Sequence, residues 1–217
     1  MKALSFVRKP FGYVHFNATL YLIAANILCF ALTVFVPNAR IIMALNPIAM
    51  LSGWVWQPVT YMFAHADLTH LAVNMVGLFF FGTQVERSMG SKEFLLFYFL
   101  TGILAGIVSF VLFIAVGAWY SSLLGASGAI FAVLLAFAVV NPDALIYLYG
   151  ILPLRAPVMV LGYTAVEILS QVFSFQSSVA HFTHLAGFAF AWLYFLVRFG
   201  VNPAKRLFRR GGGRNRG

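Results

Sequence analysis

Residues 124–140 read LGASGAIFAVLLAFAVV, an apolar run whose beginning places a serine close to two glycines. The run has no charged side chain, and at about 1.5 Å per residue the part from Ser127 to Val140 would span about 21 Å as a helix. A bilayer has a hydrocarbon core of about 30 Å, so a helix of this length would begin below the outer surface. The stretch predicts a short membrane helix with a serine at its submerged N-terminus.

The rest of the chain has the composition of a membrane protein. Of its 217 residues, 62% are hydrophobic and 9% are charged, which is far from the balance of soluble domains. Further apolar runs long enough to cross a bilayer lie at about residues 17–36, 67–85, 94–118, 157–174 and 182–199. We therefore predict an all-α membrane protein, a six-transmembrane-helix bundle.

The basic side chains indicate the direction of these helices. The sequence has 14 lysines and arginines and a formal net charge of +9. With six spans and a cytoplasmic N-terminus, only Arg40 lies outside, as the positive-inside rule requires. A seventh span at residues 41–63 would invert every later loop, and Pro47, Gly53 and Pro58 interrupt that segment. It suits the membrane interface instead.

This topology divides the chain into three parts. Residues 1–16 form a cytoplasmic segment, residues 17–200 the membrane domain, and residues 201–217 a basic cytoplasmic tail that we expect to be disordered. The tail suggests contact with anionic lipid and not with nucleic acid.

Polar side chains inside membrane helices are costly, so they indicate function. They occur here in three groups, each opening a helix that runs from outside to inside: His65 to Asn74, Gly125 to Gly128, and His181 to Gly187. All three groups are expected at one depth. Within the first group, His70 and Asn74 are four residues apart and share one face of their helix.

These residue types suit hydrolysis by a serine. Ser127 at a helix N-terminus, near Gly125 and Gly128, would lie beside unpaired N–H groups and the positive end of the helix dipole. A serine hydroxyl needs a base to accept its proton, and histidine has a suitable pKa. His70, Asn74 and the backbone N–H of Ser127 are candidate donors for an oxyanion.

A carboxylate partner for the histidine is not indicated. Glu86, Glu93 and Asp143 fall on the cytoplasmic side, which leaves Asp67 and Glu167. Neither has a local signature for a catalytic triad, so a Ser–His dyad is the more economical hypothesis.

The combination resembles the rhomboid family of intramembrane serine proteases over about residues 17–200. The resemblance rests on Gly125-Ala-Ser127-Gly128, the spacing of His65, His70 and Asn74, His184-Leu-Ala-Gly187, the run from Trp56 to His65, and Glu86-Arg87. Together these motifs are specific for the family, whereas a serine between glycines would by itself be weak evidence.

The resemblance implies a six-helix core with no metal or organic cofactor, which cleaves single-pass transmembrane proteins near the outer ends of their helices. It selects His184 over His181 as the base, because the family's histidine lies three residues before a small-residue packing pair. That pair is Gly187 and Ala191 here, and Ala191 replaces the family's usual glycine.

Other parts of the family pattern carry supporting roles. His65 is expected to be a hydrogen-bond partner that fixes the first loop, which would lie partly in the bilayer. Helix five and the loop from Phe173 to Val179 would gate the lateral entry of substrate.

Two other functions are compatible with the sequence. One is a non-catalytic rhomboid-like protein that binds membrane clients, and the other is a transporter lined by histidines, which would lack paired carboxylates in its spans. The short loops fit a bacterial inner membrane. The sequence does not specify the substrate, the cleavage-site preference or the oligomeric state.

Overall fold

The computed structural model describes residues 8–148, 151–173 and 178–208. Several predictions fall partly outside these residues: the start of the N-terminal segment (1–7), most of the proposed gating loop (174–177) and the end of the basic tail (209–217).

Helices make up most of the described chain. The first long helix, α1 (Ala18–Phe35), is followed by short helices α2 (Ala39–Met43), α3 (Pro47–Leu51) and α4 (Gln57–Thr60) and a 3₁₀ turn (Tyr61–Phe63). Next come α5 (Leu68–Gly77, a π-helical turn Leu78–Gly82, and Thr83–Met89) and α6 (Ser91–Ala115). The order ends with α7 (Ser127–Val140), α8 (Ala156–Phe173), α9 (Ser178–Tyr194, continued by a π-helical turn Phe195–Phe199) and α10 (Pro203–Leu207).

Four of the described helices are long and apolar enough to cross a membrane: α1, α5, α6 and the Val179–Phe199 part of α9. Two shorter apolar helices are α7 and the Ala156–Leu169 part of α8. The helical membrane class is therefore confirmed, while the count of six spans stays a prediction. An antiparallel hairpin, β1 (Leu145–Leu148) with β2 (Leu152–Arg155), joins α7 to α8 and was not predicted.

The first loop is broken into short helices, as its prolines and glycine predicted. Pro47 is the first residue of α3, and the side chain of Asn46 caps that helix by accepting from the N–H of Ala49 at 3.1 Å. The loop is fastened to α6 by the Tyr61 hydroxyl, which donates to the Gly102 carbonyl at 2.6 Å.

Two glycines of α6 leave room for this loop. A Cβ atom on Gly102 would lie 2.3 Å from Cε of Met62, and one on Gly106 would lie 2.6 Å from Cε1 of Tyr61. Both glycines therefore have a packing role, because each leaves space for a side chain of the loop.

Helix α7 lies at the centre of the bundle. Its residues from Gly128 to Val139 are buried, apart from the half-buried Phe131, and it packs against α5, α6, α8 and α9. A helix enclosed by neighbours needs no polar face, which explains why its sequence is apolar all round.

Two buried glutamates tie the ends of the helices together. Glu86 of α5 accepts from the backbone N–H groups of Ala18 and Thr19 at 2.6 and 2.9 Å, so it caps α1. Glu93 of α6 accepts from Nε of Arg198 in α9 at 2.7 Å. Because buried charges are costly unless paired, these contacts fix the helices that carry the site.

Candidate active site

The segment before α7 is shaped so that Ser127 begins the helix. Gly125 has a φ of +115°, a conformation that glycine adopts without strain, and its N–H donates to the Tyr61 carbonyl at 2.9 Å. Two residues earlier, Leu123 exchanges backbone hydrogen bonds of 2.9 Å with Leu45. The first loop thus holds the turn, and Ser127 is the half-buried first residue of α7.

Ser127 contacts the histidine that the family motif indicated. Nε2 of His184 lies 2.8 Å from Oγ of Ser127. Nδ1 of the competing His181 lies 2.5 Å from a carboxylate oxygen of Glu167. His184 is therefore within hydrogen-bond reach of Ser127, a distance that proton transfer requires.

Small residues bring α9 close to α7. A Cβ atom on Gly187 would lie 2.1 Å from the carbonyl oxygen of Gly128, so the two backbones touch there. Ala191, one turn later, is fully buried. One turn before Gly187, on the same face of α9, a hydrogen bond of 2.5 Å joins Thr183 to Ser109 of α6. The alanine at position 191 is thus compatible with close approach of the helices.

Phe131 supports the histidine ring, and sequence reasoning did not single it out. The rings of Phe131 and His184 stack with centroids 4.2 Å apart and planes 5° apart. Phe131 is four residues after Ser127, on the same face of α7. An aromatic side chain one turn after the serine was the available signal.

Glu167 is a second partner that the sequence did not assign. Its Oε1 lies 3.0 Å from Nδ1 of His184 and its Oε2 lies 2.5 Å from Nδ1 of His181. The other candidate acid, Asp67, caps α5 by accepting from the N–H of His70 at 2.8 Å. The structure therefore distinguishes the two acids, because Glu167 contacts His184 whereas Asp67 caps α5. A Ser–His dyad by itself leaves out the contact of His184 with Glu167.

The first polar group forms another wall of the site. A Cβ atom on Gly125 would lie 2.8 Å from Nε2 of His70, which puts this imidazole beside the turn that leads to Ser127. Nδ1 of His70 accepts from the N–H of Ala66 at 3.5 Å, which leaves Nε2 as the donor. Asn74 donates from Nδ2 to the carbonyl of His70 at 2.8 Å, and its amide has a second N–H.

His65 differs from its expected role. Neither of its ring nitrogens has a hydrogen-bond partner among the described residues, although the side chain is fully buried. Its ring meets that of His70 edge to face, with centroids 5.1 Å apart. Burial, aided by the neighbouring His70, lowers the pKa of His65 to about 4, so the ring is neutral at pH 7. It supports His70 by packing.

The family is decided by comparison with known proteins. A model of the Rhomboid domain matches residues 52–200, which is more than half of the chain. The chain belongs to the rhomboid family. With this match, the expectation drawn from the motifs is confirmed.

Three relatives illustrate how far the rhomboid similarity extends. RHOMBOID-like protein 12, mitochondrial, of Arabidopsis thaliana is 33% identical over 155 residues, covering 64% of this chain and 45% of the relative. Rhomboid protease GluP of Bacillus subtilis is 44% identical over 82 residues, 38% and 15% of the two chains. Presenilin-associated rhomboid-like protein, mitochondrial, of Rattus norvegicus is 38% identical over 81 residues, 37% and 21%.

The rhomboid chain spans less than half the length of these relatives. One of them is named a protease, so the rhomboid family includes proteases. The membership and the long apolar helices identify an integral membrane protein with several spans.

The same rhomboid site contains three side chains that could ligate a metal. Glu167, His181 and His184 each offer one ligand atom, and these atoms lie within 4.8 Å of one another. Two histidines and one glutamate form a donor set that zinc accepts. The resemblance implies that no metal is bound, and this stays a prediction.

Proposed function

We propose that this rhomboid protein is an intramembrane serine endopeptidase, with Ser127 as the nucleophile and His184 as the general base and acid. The observation that carries the proposal is the 2.8 Å contact between Oγ of Ser127 and Nε2 of His184 at the N-terminus of α7. A nucleophile within hydrogen-bond reach of a base is the signature of covalent catalysis by serine.

The reaction takes two steps. Oγ of Ser127 attacks the scissile carbonyl carbon while Nε2 of His184 takes the hydroxyl proton, and the tetrahedral intermediate collapses as His184 protonates the leaving amine. Water then attacks the acyl-enzyme, with His184 again accepting a proton, and Ser127 is released with its proton restored. The products are a new carboxylate and a new amine.

The proposed oxyanion donors are one backbone group and two side chains. The backbone N–H of Ser127 belongs to the first turn of α7, where N–H groups have no partner within the helix. Nε2 of His70 and the second N–H of Asn74 are the side-chain donors. Removal of one such donor typically lowers kcat by about 10²- to 10³-fold.

The substrates that fit this site are transmembrane segments of single-pass membrane proteins. The catalytic groups lie at the N-terminal ends of α5, α7 and α9, and in the proposed topology these ends face away from the cytoplasm. Cleavage is then expected near the outer end of the substrate helix. Both termini of this protein would be cytoplasmic.

The source membrane is proposed from the loop lengths. The short loops favour a bacterial inner membrane, but two of the three relatives described above carry mitochondrial names. The relatives therefore do not support the choice of a bacterial membrane over a mitochondrial one.

The test compares cleavage of a panel of single-pass transmembrane substrates by the purified protein in detergent. Ser127→Ala and His184→Ala are expected to abolish cleavage, because each removes a group that bonds with the other. Ser122→Ala, which changes an exposed serine of the preceding loop, is the matched control and should cleave like the parent. His181→Ala should retain measurable cleavage.

Two outcomes would refute the proposal. Cleavage that persists in Ser127→Ala would exclude this serine as the nucleophile. If no version cleaves any substrate, an alkyl fluorophosphonate, which labels activated serines, should still label the parent and not Ser127→Ala. Failure of both assays would favour the non-catalytic client-binding protein.

A further inference from the structure

We propose that Glu167 is a positioning residue for the base, so that the site operates as a Ser127–His184–Glu167 triad and not as a dyad. The inference rests on the proposed function. It goes beyond the sequence motifs, which contain no acid near either catalytic residue.

The two ring nitrogens of His184 contact two different partners. Nδ1 lies 3.0 Å from Oε1 of Glu167, and Nε2 lies 2.8 Å from Oγ of Ser127. An ionised carboxylate can only accept hydrogen bonds, so the proton of the neutral imidazole belongs on Nδ1. Nε2 is then unprotonated and able to accept the proton of Ser127.

The charge of Glu167 favours the same arrangement. When His184 takes the proton of Ser127 it becomes an imidazolium, and the carboxylate 3.0 Å from its Nδ1 stabilises that cation. The side chain of Glu167 is only 9% exposed. Because charges interact more strongly away from water, the stabilisation is larger here than at a protein surface.

Glu167 is itself held in place by two histidines. His181 and His184 are three residues apart on α9 and meet the same carboxylate from α8, one at each oxygen. Occupation of Oε2 by His181 orients Oε1 toward His184. Phe131 covers a face of the His184 ring. The base is thus fixed at both nitrogens and on one face.

A metal site built from the same side chains fits the distances less well. Zinc lies about 2.0 to 2.2 Å from nitrogen and oxygen ligands, so ligand atoms around a tetrahedral ion are about 3.3 Å apart. The carboxylate oxygens of Glu167 lie 2.5 and 3.0 Å from the two Nδ1 atoms. These are direct hydrogen-bond distances, which favour the triad.

The test measures kcat and KM separately for the full chain and for Glu167→Ala and Glu167→Gln. The alanine variant should lower kcat by about 10- to 100-fold, the range expected for loss of a charged hydrogen bond, with KM changed less than about threefold. Glutamine keeps an acceptor for Nδ1 but loses the charge, so its kcat should lie between those of parent and alanine variant. A purely structural link between α8 and α9 would instead change KM together with kcat.

Thr164→Val is the matched control. Thr164 lies on α8 one turn before Glu167, and its hydroxyl donates to the Val160 carbonyl at 2.8 Å, within its own helix. This variant should keep the parent's kcat. If Thr164→Val lost as much kcat as Glu167→Ala, the effect would come from a disturbance of α8 as a whole, and the proposal would be overturned.

A second readout separates this inference from the proposed function. The rate at which a fluorophosphonate labels Ser127 depends on activation by His184 and needs no substrate, so Glu167→Ala should slow labelling by a factor similar to that in kcat. Unchanged labelling and unchanged kcat would refute the role of Glu167. If a chelator abolished the parent's activity or labelling and zinc restored it, the cluster would be a metal site and the triad would be wrong.

Discussion

Gly187→Ala tests whether close packing of two helices sets the catalytic distance. The added Cβ would lie 2.1 Å from the carbonyl oxygen of Gly128 and 3.1 Å from its carbonyl carbon. Both are backbone atoms of α7, so no side chain can rotate away. The clash can be relieved only if α9 moves relative to α7.

The size of that movement follows from ordinary contact distances. Carbon and oxygen atoms approach to about 3.3 Å, so the 2.1 Å contact falls short by about 1.2 Å. His184 is one turn before Gly187 on α9, and Ser127 is next to Gly128 on α7. If α9 moves outward by about 1 Å, the distance of 2.8 Å between Nε2 of His184 and Oγ of Ser127 exceeds hydrogen-bonding range.

Two consequences are expected. A displacement of about 1 Å at reacting groups costs about 10²-fold in rate, so kcat/KM of Gly187→Ala should fall about 100-fold. Overpacking of a buried site costs about 1–3 kcal/mol, so the melting temperature in detergent should also fall. Substrate cleavage and thermal unfolding measure the two effects.

Gly162→Ala is the control with the same chemical change. Nothing lies within 4 Å of a Cβ at Gly162 in α8, so activity should be unchanged and stability unchanged or slightly raised. If Gly187→Ala cleaved within about threefold of the parent and melted at the same temperature, the argument that contact between backbones sets the catalytic distance would be wrong.

Two further substitutions test the neighbours of His70, which are Gly125 and His65. Gly125→Ala should lower kcat far more than Gly117→Ala. Both glycines have positive φ, but only at Gly125 would a Cβ meet His70, at 2.7 Å from Cε1. Equal losses of kcat would mean that backbone strain alone matters. The pKa of His65 is about 4, below the ordinary value of 6.5. Between pH 6.5 and 4, His65 therefore takes up a proton in the unfolded state but not in the folded state. The free energy of unfolding then falls as the pH falls. His65→Leu should lessen the fall in melting temperature between pH 6.5 and 4, whereas His15→Leu, at an exposed site, should not. The same dependence of melting temperature on pH in the parent and in His65→Leu would contradict the low pKa of His65.

The fold class and the start of α7 could be predicted because they depend on short-range patterns. Apolar runs of spanning length indicate membrane helices whatever surrounds them. The bounds of α7, its short length and the position of Ser127 at its start follow from the local order of glycine, serine and apolar residues. The choice of His184 over His181 came from the resemblance to the rhomboid family, and His184 is the one whose Nε2 lies 2.8 Å from Oγ of Ser127.

Features that depend on the rotation and approach of whole helices could not be predicted in this way. His65 was expected to make a hydrogen bond, but its nitrogens have no such partner among the described residues. The β-hairpin between α7 and α8 has strands of four residues each, too short for alternation to indicate them.

The sequence by itself determined a helical membrane protein in which Ser127, His184 and the candidate oxyanion donors His70 and Asn74 lie in the first turns of three helices. Only the tertiary structure decided which carboxylate meets that histidine. Asp67 and Glu167 are equal as isolated acids, but the rotation of α8 turns Glu167 toward α9, while Asp67 is used locally to cap α5. A contact between helices depends on their packing, and no periodicity within either helix encodes it.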